Sequence, residues 1–352
     1  MDKLEITVVG YGMINPVGIG AQAVAAAVRA GINQYADSPL IRSSGEPYKM
    51  ATVPDECLPE LNSDAPDSKQ RSHSNALYRR LLQLSKVAIT EAVEMANIEK
   101  MIPLFLAVPE QRSGRPFPAL EPFLKDLSTE LAFPLDLLTS RIFPAGRASG
   151  IHALDEAIKL LLSSPLESII VGGVDSFLDV VLLSHLDAES RLLSSASGRG
   201  FVPGEGAAFV VLKKTAEATI VIMPPGTGEE PGHYYSDDIC LGEGLSNAVT
   251  SAVAQLESPV NTVLCSLNGE PSHVKEWGTA QVRNSGAFSA GFNLQHPAEC
   301  YGDLGAASAT TLMGLSVIGL TKQHYQGPLL VWCASDREQR GAVIMSMNKS
   351  GA

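Results

Sequence analysis

Hydrophobic positions along this chain switch repeatedly between strand-like runs and helical spacing, the pattern of an α/β protein. Leu4 to Val9 is an alternating apolar run closed by Gly10-Tyr11-Gly12, which predicts a strand ending in a glycine-rich turn. Helical periodicity follows from Gly20 to Ala30. Residues 37–70 are polar and rich in Pro, Ser and Asp, and predict a surface excursion. From Leu77 to Ala96 apolar residues recur three and four apart, predicting an amphipathic helix. Ile102 to Val108 is a continuous apolar run of a buried strand, and residues 109–120, with four Pro or Gly, predict a loop.

Two later stretches echo each other. Ser149-Gly150-Ile151 through Leu162 predicts an apolar helix, followed by the strand Ser168 to Gly173 and a last strand from Gly206 to Leu212. Leu304-Gly305-Ala306-Ala307 through Leu320 repeats the theme, with strands at Pro328 to Trp332 and Gly341 to Met345. The openings match as well, Ile6 to Val9 against Thr219 to Met223. A repeat of about half the chain predicts two similar α/β halves, residues 1–215 and 216–352. Small residues at both helix starts, Gly150 and Gly305-Ala306-Ala307, suit helices that pack closely between sheets.

The chain has 352 residues, 45% hydrophobic and 18% charged, enough for a large globular core. Its charged start, Met1-Asp2-Lys3-Leu4-Glu5, does not read as a signal peptide, and no apolar run has the length of a membrane span. A formal net charge of −12 argues against nucleic acid and anionic membrane as partners. Carrier proteins are acidic too, and the adjacent basic pairs here are only Arg79-Arg80 and Lys213-Lys214. The five cysteines, Cys57, Cys240, Cys265, Cys300 and Cys333, are scattered without a CxxC pair and predict reduced thiols in the cytoplasm. No His/Cys/Asp/Glu group has metal-ligand spacing, so neither a metal nor a cofactor is expected.

Several segments resemble the β-ketoacyl-acyl carrier protein synthase family of the thiolase superfamily. Val9-Gly10-Tyr11-Gly12-Met13-Ile14-Asn15-Pro16-Val17-Gly18 is similar to that family's opening, and Val171-Gly172-Gly173-Val174-Asp175-Ser176 to the strand after its nucleophile helix. The most specific match is Gly200-Phe201-Val202-Pro203-Gly204-Glu205-Gly206-Ala207-Ala208, close to the family's Gly-Phe-Val-x-Gly-Glu-Gly-Ala signature. Within it, Gly204, Glu205 and Gly206 read as structural: glycines for a tight turn and a glutamate for buried backbone donors. The resemblance implies a five-layered α-β-α-β-α thiolase fold with two duplicated halves. It also implies a homodimer that pairs edge strands across a two-fold axis.

The family's catalytic positions are occupied by other residues. Its nucleophilic cysteine lies in Ala-Cys-x-Thr-Gly-x-His at a helix start, where the dipole and backbone N–H groups stabilise a thiolate and an oxyanion. Gly146-Arg147-Ala148-Ser149-Gly150-Ile151-His152 matches that segment, with Gly150 and His152 fixing the register, so Arg147 stands at the cysteine. A guanidinium stays protonated and cannot attack a thioester. Aligning Gly269 puts Asn268 at the first catalytic histidine, within one residue. Counting back from Gly305-Ala306-Ala307 puts Gly302 at the second. Cys333-Ala334-Ser335-Asp336-Arg337 replaces the family's Gly-Phe-Gly-Gly gating loop.

Ser149, at the family's threonine, suits a helix-start contact. His296 and Cys300, four residues apart, permit a Cys-His dyad or an unrelated structural thiol and imidazole. Arg147 either binds an anionic ligand or pairs with an acidic neighbour in the vacated pocket, and His273 is expected to be a solvated loop residue. Together these positions predict a non-catalytic protein acting as a partner, adaptor or chaperone. Pseudo-ketosynthase subunits and thiolase-like proteins encoded beside type VI secretion effectors are the types it resembles. An acyltransferase or decarboxylase working on acyl or malonyl thioesters with other residues is the alternative.

Overall fold

The computed structural model describes residues 4–62, 74–111, 121–194 and 198–348. Strands of the first half are β1 Glu5–Asn15, β2 Gly18–Ile19, β3 Ala36–Ile41, β4 Pro47–Met50, β5 Leu104–Ala107, β6 Arg141–Phe143, β7 Ser168–Ser176 and β8 Glu205–Thr215. Those of the second half are β9 Ile220–Ile222, β10 Gly226–Glu229, β11 Val260–Cys265, β12 Phe288–Gln295, β13 Leu329–Ala334 and β14 Gln339–Met347. The helices are α1 Ala21–Arg29, α2 Ser74–Ala96, α3 Glu121–Glu130, α4 Ser149–Ser163 and α5 Val180–Ala188. They continue with α6 Glu243–Val253, α7 Pro271–Arg283, the single turn α8 Ala298–Tyr301, and α9 Ser308–Thr321.

Two sheets are built on one plan. The first runs β2-β1-β8-β7-β5-β6; the second runs β10-β14-β13-β11-β12, with β9 also on β14. In each, a parallel edge strand and its parallel neighbours pass into an antiparallel flank: β6, β5 and β7 into β8, and β12, β11 and β13 into β14. Helices α4 and α9 lie between the sheets and touch each other, α2 and α3 cover the outside of the first sheet, and α6 and α7 cover the second. This is the five-layered α-β-α-β-α arrangement of the thiolase fold.

Helix α9 explains the central layer. Every residue from Ser308 to Leu320 is buried, so the helix is apolar on all sides, as a segment walled by two sheets must be. Side chains such as Leu312, Leu315 and Ile318 stabilise the core by roughly 1.5–3 kcal/mol each. Gly150 sits where α4 meets α9: a Cβ there would lie 2.8 Å from that of Ala309, so the small helix starts do allow the close approach.

The opening segment departs from expectation. Gly10 and Gly12 do not form a turn; β1 runs on to Asn15, with a bulge between Val8 and Gly10. Both glycines lie under α2, where a Cβ would fall 2.1 Å from the carbonyl oxygens of Ala92 and Ala88. The polar excursion over 37–70 contains the β3–β4 hairpin, which buries Tyr48 and Met50 beside Phe177 and Phe201. Its residues from 63 onwards, and 112–120 of the predicted loop, lie outside the described residues. All five cysteines are unpaired, and no helix among the described residues is long and apolar enough to cross a membrane.

Candidate functional site

The mouth of α4 is a 3-10 turn, Gly146–Ala148, that delivers Arg147 into the space between the sheets. Gly146 adopts φ +66°, a conformation that side chains with a Cβ rarely take. Ser335, after β13, accepts the Ala148 N–H at 3.0 Å. Opposite lies the segment Gly302-Asp303, held against the Gly204 loop by Gly204 N–H to Asp303 O at 3.0 Å and Asp303 N–H to Val202 O at 2.8 Å. The glycine-glutamate signature is the seat of that segment. A Cβ on Gly204 would lie 2.6 Å from Tyr301 O, and one on Gly206 2.7 Å from Ile14 O. Glu205, fully buried, accepts from Val53 N–H at 2.8 Å, Arg80 Nε at 2.6 Å and Ser176 Oγ at 2.8 Å.

Arg147 is 1% exposed and all three of its guanidinium nitrogens are engaged. Nε donates to Asp303 Oδ1 at 3.0 Å and Oδ2 at 2.8 Å, Nη1 donates to Asp336 Oδ1 at 2.6 Å, and Nη2 also binds Asp303 Oδ2. A second buried arginine, Arg191, continues the chain of charges. It donates to Glu270 at 2.7 and 2.9 Å and to Asp336 at 2.9 and 2.8 Å. Asn268 Nδ2 adds bonds to Asp303 at 2.8 Å and Glu270 at 3.0 Å. Phe201 lies beneath both guanidiniums, at 5.9 and 5.5 Å from its ring centre.

Burial works against each of these charges, and the partners reverse it. Desolvation alone would lower the Arg147 pKa, but the carboxylates of Asp303 and Asp336 raise it well above the usual arginine value. Burial likewise would raise Asp303 and Glu270, yet Arg147 holds the former, and Arg191 the latter, below the ordinary carboxylate range. The network stays ionised. Nearby, His273 is buried in α7 rather than solvated, and Nδ1 has no hydrogen-bond partner among the described residues. Desolvation lowers its pKa to about 4 despite Glu270, so its imidazole is neutral at pH 7.

The sequence-derived positions fare differently. Arg147 and Asn268 meet through Asp303. Gly302 lies beside them at φ +74°, where a Cβ would approach Val202 O at 2.8 Å and Ala51 Cβ at 3.2 Å. A histidine could not enter that backbone unchanged. Ser149 donates its hydroxyl to Gly146 O at the helix start. His296 and Cys300 are not a dyad. The His296 ring faces Glu299 at 3.3 Å in solvent, while the buried Cys300 thiol points to Val28 O at 3.9 Å. Burial raises the Cys300 pKa to about 11, and raises Cys265 to about 12 and Cys333 as well, so none of the three is a thiolate near neutrality.

Asp303, Asp336, Glu270 and Arg191 complete the site. Three of them adjoin or lie in segments the sequence singled out (Gly302, Cys333 to Arg337 and Gly269), and an acidic residue near an unusual arginine is the signal that points to them. Nothing in the sequence marks Arg191. The fold also gathers Glu270, His273 and Asp336, with donor atoms within 4.8 Å, into a group of metal-binding composition. Arg191 already bonds all four carboxylate oxygens of that group, so a metal ion would have to displace a guanidinium. Beside Gly302, Asp303 and Ser308 remains a cavity of about 10 Å³, the space of one water.

Comparison with known proteins agrees with this geometry. Residues 140–218 match the family model described as Beta-ketoacyl synthase, N-terminal domain. No curated protein matches the chain. Among solved structures it is similar to the AntDE:AntF complex of a type II polyketide-synthase acyl-carrier protein with its ketosynthase bound to the hexaketide. That match has TM-score 0.76 and 14% identity, and covers 98% of this chain and 100% of the other. A ketosynthase (ApeO) in complex with its chain length factor (ApeC) from Xenorhabdus doucetiae matches at TM-score 0.75 and 14% identity, with 98% of each chain covered. The ketosynthase from module 6 of the bacillaene synthase of Bacillus subtilis 168 matches at 0.73 and 14%, covering 98% of this chain and 72% of that one. The chain therefore has the fold of these ketosynthase structures, and its residues 140–218 match the β-ketoacyl synthase N-terminal family model.

Proposed function

We propose that this chain is a non-catalytic ketosynthase-like subunit that works through its surface, as a partner, adaptor or chaperone of another protein. One observation carries the reading: at the helix mouth where a condensing enzyme presents its thiolate, Arg147 is locked between Asp303 and Asp336. A charged, non-nucleophilic side chain with every nitrogen engaged has no capacity to form an acyl thioester.

The partner class is a ketosynthase-type subunit or a secreted effector of the type VI kind. The likeness to a complex of a ketosynthase with its chain length factor supports the first. Self-association uses β6, an edge strand of the first sheet among the described residues and the strand that leads into the Arg147 turn. Unpaired thiols support a reducing, cytoplasmic setting.

Incubating the purified protein with malonyl-CoA and with acyl-CoA tests the reading. The intact mass is expected to stay unchanged, with no release of free CoA. An acyl adduct or CoA release overturns it in favour of an acyltransferase or decarboxylase using other residues. Sedimentation velocity is expected to show a dimer, and a monomer at micromolar concentration would reject pairing through β6.

A further inference from the structure

The loop between β10 and α6, residues 230–242, is fastened to the buried charge network and yet exposes its apolar side chains. Tyr234 and Tyr235 are 41% and 39% exposed, Ile239 76% and Leu241 53%. They belong to one compact unit, since the loop doubles back so tightly that a Cβ on Gly232 would lie 2.4 Å from the Ile239 carbonyl.

Its fastenings come from the vestigial site. Tyr234 N–H donates to Asp336 O at 3.0 Å, and Arg191 lies 4.2 Å over the Tyr234 ring while donating to Tyr235 Oη at 3.1 Å. Buried Glu230 accepts the N–H groups of Leu241 at 3.2 Å and Gly244 at 3.0 Å. Aromatic side chains ordered in advance lose little entropy when a partner covers them.

The electrostatics select the partner. Asp237, Asp238 and Glu243 are exposed in or beside the loop. Glu189 accepts the Tyr235 hydroxyl at 3.3 Å, and Glu338 stands 3.7 Å from His233. Arg337 also lies 5.7 Å over the Tyr235 ring, so the apolar ridge is bordered by these five carboxylates and one guanidinium, a net acidic margin that complements a segment with an apolar face and Lys or Arg on its margins. We propose that this loop is a docking site for a cationic amphipathic segment of a partner protein, with the arginine-carboxylate network as its rigid base. The proposal rests on the partner reading and specifies the surface that performs it.

The probe is a fluorescein-labelled Leu/Lys peptide of roughly 18 residues in helical spacing, with its Leu/Glu counterpart, followed by fluorescence anisotropy. Saturable binding of the Leu/Lys peptide alone is expected. The loop variant Asp237→Lys/Asp238→Lys and the variant Tyr234→Ser/Ile239→Ser should each weaken it by about tenfold or more. A charge-matched control, Glu94→Lys/Glu99→Lys, reverses two exposed acids elsewhere and should bind as the parent does. Unchanged binding in the Asp237/Asp238 variant, or an equal loss in the control, overturns the proposal and reduces the interaction to bulk charge. Either result leaves the partner reading standing if the CoA assay is silent, whereas CoA turnover would remove that reading itself.

Discussion

The mouths of the two buried helices are the instructive pair in this molecule. Each opens with a glycine-led 3-10 turn, Gly146-Arg147-Ala148 before α4 and Gly305-Ala306-Ala307 before α9, and each glycine has a positive φ. Backbone and strand order repeat; the chemistry does not. The first turn supplies a cation. The second supplies N–H groups to anions, Gly305 to Asp303 at 2.8 Å and Ala306 to Asp175 at 3.0 Å. Asp303 joins the two mouths, taking Arg147 from one and Gly305 N–H from the other. One sheet plan thus carries a cationic helix mouth in one half and an anion-binding helix mouth in the other.

Removing the cation is the strongest way to break that asymmetry. Arg147→Met leaves Asp303 and Asp336 buried without their guanidinium and should cost about 3–5 kcal/mol in urea unfolding. Arg147→Cys should be equally destabilised and remain inert towards malonyl-CoA, because no histidine replaces Asn268 or Gly302.

Acid should come next. His273 has a folded pKa of about 4 against 6.5 for the free side chain, so its contribution is complete above pH 6.5 and fades as pH falls towards 4. The loss should total roughly 3 kcal/mol, with Asp303 and Glu270 adding to it as pH drops below the free carboxylate range and through their depressed folded values. Chemical denaturation of His273→Leu across this range should show a flatter upper portion, and a slope identical to the parent would exclude the histidine.

The glycines sharpen the comparison on a smaller scale. A Cβ on Gly305 would fall 2.0 Å from Asp175 Oδ2, but one on Gly146 only 3.1 Å from Glu110. Gly305→Ala should therefore cost about 2–3 kcal/mol and Gly146→Ala about 1 kcal/mol, both by thermal unfolding. Ser335→Ala, which frees the Ala148 N–H, should have an effect as small as that of Gly146→Ala, about 1 kcal/mol.

Much of the scaffold was legible because period follows from burial. The apolar run of Ile102 to Val108, short and followed by Pro and Gly, fits a strand walled on both sides, and β5 is buried throughout. Glycines were the ambiguous letters. Gly10 and Gly12 look like a turn in one dimension, and only α2 lying on the strand explains why side chains are missing there. Register against the family singled out Arg147, Asn268 and Gly302, but it could not say what Arg147 faces, and His273 looked solvated because it follows the loop that carries Asn268 and Gly269.

By itself the sequence determined the two-fold repeat of strands and helices and the presence of arginine, asparagine and glycine at positions 147, 268 and 302, since both depend on the order and type of residues. The tertiary structure alone decided that Arg147 is neutralised rather than open to an anion. Asp303, Asp336, Arg191 and Glu270 come from four distant segments. Coulomb interactions between buried charges depend on separation in space, and the fold sets that separation.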